Sequence, residues 1–173
     1  GVLERVATGA PLTDTLISIA KLVEAQSPEL VCSILLFDPE QRTLRHGAAP
    51  SLPPDAIERI DGAVVGVGVG SCGSAAELGE AVIVEDIGTH PYWAPYRDIA
   101  LPHGLRACWS TPIFSPEREL LGTFALYLRE SRGPTPAEQE LVATATHLAS
   151  IAILRERSDR LLRQSEARAR QLA

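Results

Sequence analysis

Leu12, Leu16, Ile19 and Val23 recur at intervals of four, three and four residues, which places them on one face of a helix. Thr13 or Asp14 is available to cap that helix, and Pro28 closes the region. VCSILLFD, residues 31–38, is short and almost continuously apolar, the pattern of a central strand covered on both faces. Asp38-Pro39-Glu40 supplies turn chemistry, and TLRHGAA, residues 43–49, alternates as the returning strand of a hairpin. The breaker cluster at 49–54 leads into a short helix over 55–60. A glycine-rich run over 61–80 becomes briefly helical, AVIVED (81–86) reads as a strand, and 89–104 is a long aromatic and charged connection with a short helix of its own. RACWSTPIF (106–114) and LLGTFALYL (120–128) are two strands joined by the turn SPERE.

The last helix has the clearest start. Thr135-Pro136-Ala137-Glu138 is a capping box with proline at the first helical position. Ala137, Leu141, Ala145, Leu148 and Ala152 then form an apolar stripe. No stop signal follows, and beyond Leu154 the stripe narrows to Leu154, Leu161 and Leu172 among charges. Hairpins demand antiparallel pairing, so the order of elements predicts an α+β layer structure with the terminal helices packed together on one face of a central sheet. The organisation expected is a domain over 1–154 and a projecting helix over 155–173.

Composition narrows the function. The formal net charge of −6 argues against a nucleic-acid-binding face. The tail from Arg155 carries six arginines against Glu156, Asp159 and Glu166, the balance of a solvated charged helix. No apolar run reaches the ~18–20 residues of a membrane span, and no signal-peptide pattern opens the chain. Cys32, Cys72 and Cys108 are odd in number and widely spaced, which fits neither a disulfide framework nor zinc and favours a reducing cytoplasm. The abrupt ends suggest a segment of a longer chain.

CSILLFD, DGAVVGVGVGSCGSAAELGEAVIVEDI, YRDIALPHGLRACWSTPI and LGTFALYLRE, in this order and spacing, resemble GAF domains of bacterial signalling proteins. The resemblance covers roughly residues 10–155. It implies a GAF-like fold with a central antiparallel sheet of five or six strands. It also implies a ligand site between the sheet and the connections after the second and third strands, without naming the ligand. Related chains join kinase or GGDEF/EAL-type output domains through continuous helices. The expectation is therefore a cytoplasmic regulatory sensor in a two-component or cyclic-di-nucleotide system, and not an enzyme.

Candidate contacts carry two readings each. Ser71 and Ser74 sit in GVGSCGS before a helix, either capping it or touching a ligand. Asp86, Trp93, Tyr96, Arg97 and His103 lie in or beside the long connection, which holds three of the eight aromatic residues within five positions. They suit a planar or anionic ligand, or they form the loop's own small core. Arg106 and Trp109 fall on opposite faces of the next strand, one of which lines the pocket. Cys72 lies in a G-x-C-G setting resembling that of GAF proteins that reduce free methionine sulfoxide. Those enzymes need further cysteines in the following loop, and residues 73–107 have none. A bilin would also need a cysteine there. The four histidines are scattered, so neither haem nor another metal is expected, and no cofactor. The pocket is expected beside 86–104, with polar atoms from Ser71, Arg97, His103 or Arg106. A homodimer through the terminal helices is expected, with a ligandless dimerisation module and a redox enzyme as the rival readings.

Overall fold

The computed structural model describes residues 1–173. Helix α1 (Val2–Thr8) leads into α2 (Leu12–Gln26), followed by the hairpin β1 (Val31–Asp38) and β2 (Thr43–Ala48). Helix α3 (Pro54–Ile60), the short strand β3 (Ala63–Val64), helix α4 (Gly70–Leu78) and strand β4 (Val82–Val84) come next. The connection 85–106 holds two single 3-10 turns and α5 (Arg97–Ala100). The hairpin β5 (Ala107–Phe114) and β6 (Leu120–Leu128) precedes α6 (Pro136–Leu172).

The six strands form one sheet in the order β3-β2-β1-β6-β5-β4, and every neighbouring pair is antiparallel. The chain crosses from β3 at one edge to β4 at the other, which leaves β1 and β6 at the centre. Gly122 serves that centre: a Cβ there would lie 2.1 Å from the Leu35 carbonyl oxygen, so only glycine permits β6 to approach β1 this closely.

Strand alternation divides the interior into two cores. On one face Leu16, Ile19 and Val23 of α2 and Ala145, Ala149 and Ile153 of α6 cover Cys32, Ile34, Trp109, Phe124 and Leu126. On the other, α3, α4 and the 85–106 connection cover Leu35, Cys108, Ala125 and Tyr127. The terminal helices share one face, as the apolar stripes require.

Several boundaries differ from the pattern. Helix α2 begins at Leu12 with Pro11 at its N-cap, so Thr13 and Asp14 lie inside its first turn and cap nothing. Helix α1 buries no residue and leaves no apolar stripe to read. Helix α6 runs 37 residues from the Thr135 capping box, whose two hydrogen bonds, Glu138 N to Thr135 Oγ1 at 3.2 Å and Thr135 N to Glu138 Oε1 at 2.9 Å, are both made. Its buried positions end at Ile153, and every residue from Leu161 onward is exposed. No helix is long and apolar enough to cross a membrane.

Candidate functional site

The glycine-rich run becomes a tight entry into α4. Gly70 has φ +63°, a left-handed conformation that favours glycine, and it packs directly beneath the rings of Tyr96 and Trp93. Ser71 follows inside the helix rather than at its cap, which is Val69. Its hydroxyl donates to the Cys108 carbonyl at 3.1 Å and accepts from Trp93 Nε1 at 2.8 Å. Ser74 accepts from Gly68 N at 2.9 Å and donates to the Gly70 carbonyl at 2.6 Å, fastening the loop to the helix. Both serines are fully buried.

Ser71 lines a partly open cavity of about 20 Å³ between β1, β6, α4 and the long connection. Leu35, Ile60, Cys72, Trp93, Tyr96 and Tyr127 are among its walls. It has room for about one water molecule. Trp93 meets Tyr96 and Tyr127 edge to face, with ring centroids 6.1 and 6.0 Å apart, so the aromatics occupy most of the space between the sheet and the connection.

Outside the aromatics, α3 is clasped to the connection. Arg59 grips Asp98 with two hydrogen bonds of 2.9 and 3.0 Å, donates to the Pro95 carbonyl at 2.8 Å, and lies 5.8 Å from the Tyr96 ring centre. His103 Nε2 pairs with Asp55 at 2.9 Å. The His103 hydrogen bond lowers the Asp55 carboxyl from its ordinary range, and Arg59 does the same to Asp98. Arg97 spends its guanidinium on the Ile87 and His90 carbonyls at 3.0 and 2.7 Å. Asp86 closes an Asx turn through Gly88 N at 2.9 Å.

On β5, Cys108 and Ser110 face α4, while Trp109 faces α2 and α6. Trp109 Nε1 donates to the Arg132 carbonyl at 2.9 Å, and the Arg132 guanidinium lies 5.2 Å from the Trp109 ring centre. That guanidinium holds both oxygens of Glu138 at 2.7 and 2.8 Å. The Arg132 hydrogen bond lowers the Glu138 carboxyl to about 2, against the opposing effect of burial. Adjacent residues of one strand thus touch the cavity layer and the start of α6.

The structure divides the expected site residues. Ser71, Trp93 and Tyr96 line the cavity. Ser74, Asp86 and Arg97 are bound to backbone groups and build the loops around it. His103 belongs to the outer clasp, and Arg106 is exposed with only its backbone engaged. Trp109 packs on the helix face of the sheet, in the core covered by α2 and α6, because the period of two turns it away from the cavity. The polar atoms expected from Arg97, His103 and Arg106 do not line the cavity. Tyr127, Arg59 and Arg132 join the site without a sequence signal that marks them. Tyr127 looks like an ordinary core strand residue, and the other two act through partners 39 and 6 positions away. The histidines at 46, 90, 103 and 147 lie on separate elements, and no three metal-ligating side chains converge.

The GAF domain family model matches residues 12–154. The chain is 43% identical over 169 residues, 98% of its length, to the methyl sulfide methyltransferase-associated sensor of Methanosarcina acetivorans, and it spans only 17% of that protein. Its fold resembles the GAF domain of an Acinetobacter phosphoenolpyruvate-protein phosphotransferase, with a TM-score of 0.72 and 16% identity over 91% of this chain and 90% of that one. It also resembles a free methionine-R-sulfoxide reductase from Neisseria meningitidis in complex with its substrate, with a TM-score of 0.70 and 18% identity over 91% and 87% of the two chains. On the extent of the family match and of the identity to the archaeal relative, the chain belongs to the GAF domain family.

Proposed function

We propose that this GAF domain is a regulatory sensor module of a larger cytoplasmic signalling protein. In this reading a small molecule enters beneath the connection 91–104 and displaces the Trp93–Tyr96 wall. The shift then passes through β5 to α6 and on to an output domain of the kinase or GGDEF/EAL type. The observation that carries it is the pair of neighbours on β5. The Cys108 carbonyl is held by Ser71 in the cavity layer, and Trp109 packs under the Arg132–Glu138 clamp at the start of α6. The roof is suited to movement, because the Arg59–Asp98 and His103–Asp55 pairs are exposed, and exposed ion pairs add little stability. The name of the archaeal relative supports the sensor reading, and the three unpaired cysteines support a reducing compartment.

The projecting part of α6, residues 155–173, is the output side of this module. Leu161 and Leu172 are 61 and 83% exposed, and a second copy of the helix would cover them in a parallel homodimer. Sedimentation equilibrium tests this. Self-association that disappears on truncation after Leu154 supports it, and a chain that stays monomeric at high concentration refutes it.

A redox-enzyme reading draws on one observation, that Cys72 is a cavity wall in a fold shared with a methionine sulfoxide reductase. Against it, the nearby Cys108 sits within β5, and the loop that follows Cys72 holds no cysteine. Thioredoxin-coupled turnover of free methionine sulfoxide would establish that reading, and its absence supports a non-enzymatic role.

A further inference from the structure

Two thiols, Cys72 and Cys108, face one another at the cavity wall between α4 and β5. Cys72 is the third residue of α4 and Cys108 faces it from β5. Both sulfurs lie on one hydroxyl: Ser110 Oγ is 2.9 Å from Cys72 Sγ and 3.8 Å from Cys108 Sγ. Cys108 and Ser110 are fully buried, and Cys72 reaches the cavity wall. Thr123, on the same face of β6, is also fully buried, and its Oγ1 has no hydrogen-bond partner. Of the two thiols it is Cys72 that adjoins space for about one water-sized molecule.

From this geometry we infer that Cys72 and Cys108 form a reversible disulfide in response to a peroxide, a redox switch that needs no small-molecule ligand in the pocket. Cys72 is the attacking group. It sits in the first turn of a helix, where the backbone amides favour a thiolate. The Cys108 thiol and the Ser110 hydroxyl lower its pKa, against burial, while burial pushes Cys108 well up. The Cys72 thiolate attacks one peroxide oxygen, the O–O bond breaks, and the departing hydroxide takes a proton to leave as water. Cys72 is then a sulfenic acid. The Cys108 sulfur attacks the Cys72 sulfur, the S–O bond breaks, and the hydroxyl leaves as water with the Cys108 proton. Two thiols are oxidised to one disulfide, and one hydrogen peroxide is reduced to two waters. The size of the cavity selects hydrogen peroxide over a bulky disulfide such as oxidised glutathione. The new bond would tie α4 to the β5 residue that already carries the Ser71 hydrogen bond.

The test treats the folded protein with hydrogen peroxide and, in parallel, with oxidised glutathione, followed by thiol counting and peptide mapping after denaturation. The expected result with peroxide is loss of two of the three thiols and of the mass of two hydrogens. A Cys72–Cys108 linked peptide should appear, and dithiothreitol should reverse it. Glutathione disulfide should leave all three thiols free. Cys32, on the opposite face with its thiol pushed up by burial, serves as the internal control. Cys108→Ser should stop at a sulfenic acid on Cys72 that dimedone labels. If that variant fails to fold, the wild-type map alone decides. Three free thiols after peroxide, a link through Cys32, a glutathione adduct on Cys72, or sulfinic acid at Cys72 beside a free Cys108 would each overturn the inference.

Discussion

Trp93 Nε1 donates to Ser71 Oγ at 2.8 Å, and this one bond joins the long connection to the first turn of α4 inside the cavity wall. Both groups are buried, so removing one leaves the other without this bond inside the fold. Ser71→Ala leaves the indole N–H unsatisfied and is expected to cost about 1–3 kcal/mol in urea-induced unfolding. Trp93→Phe removes the donor as well as part of the ring, yet Ser71 keeps its bond to the Cys108 carbonyl. A Ser71→Ala protein as stable as wild type would remove this bond from the account.

Trp93→Ala deletes the largest piece of the aromatic roof. The expected loss is about 3–5 kcal/mol, the usual range for truncating a buried tryptophan. The enlarged apolar space should bind indole, and added indole should raise the unfolding midpoint. Thermal unfolding with and without indole checks both.

The Arg132–Glu138 clamp gives a pH signature. The Glu138 carboxyl is lowered to about 2 in the folded protein, below its unfolded value of about 4.3. Its contribution is therefore fully present above the unfolded pKa and is lost as pH falls from roughly 4.3 toward 2. Glu138→Gln should be less stable than wild type at neutral pH, and the difference should shrink through that window. A difference that stays constant down to pH 2 would contradict the pairing.

The clasp over the roof should behave differently. Arg59→Ala removes an exposed pair, so global unfolding should change little. Hydrogen exchange over residues 91–104 should rise, because the connection loses its tie to α3. Unchanged exchange there would mean that the clasp does not restrain the roof.

The fold was largely legible because its signals are local. The apolar face of α2, the capping box of α6 and the apolar runs and turns of the two hairpins each report on neighbours within a turn or a strand. The site was less legible because its contacts are distant and its residues are versatile. Arg97 and His103 have ligand-binding chemistry, yet their donors go to backbone carbonyls and to Asp55. Cys72 and Cys108, 36 positions apart, meet only because α4 folds back over β5. Trp109 could be placed on one of two faces by alternation, but which face adjoined the cavity depended on the crossover of α3 and α4.

The central claim is that the state of the cavity reaches the start of α6. Hydrogen-exchange mass spectrometry on the Trp93→Ala protein, with and without indole, tests it with a probe of known position. The account predicts that indole slows exchange both over 91–104 and in the first turns of α6 after Thr135. It predicts that the effect on α6, but not on 91–104, is lost when Arg132→Gln is added. Indole that protects 91–104 while leaving α6 exchange unchanged in the Arg132-containing protein would contradict it.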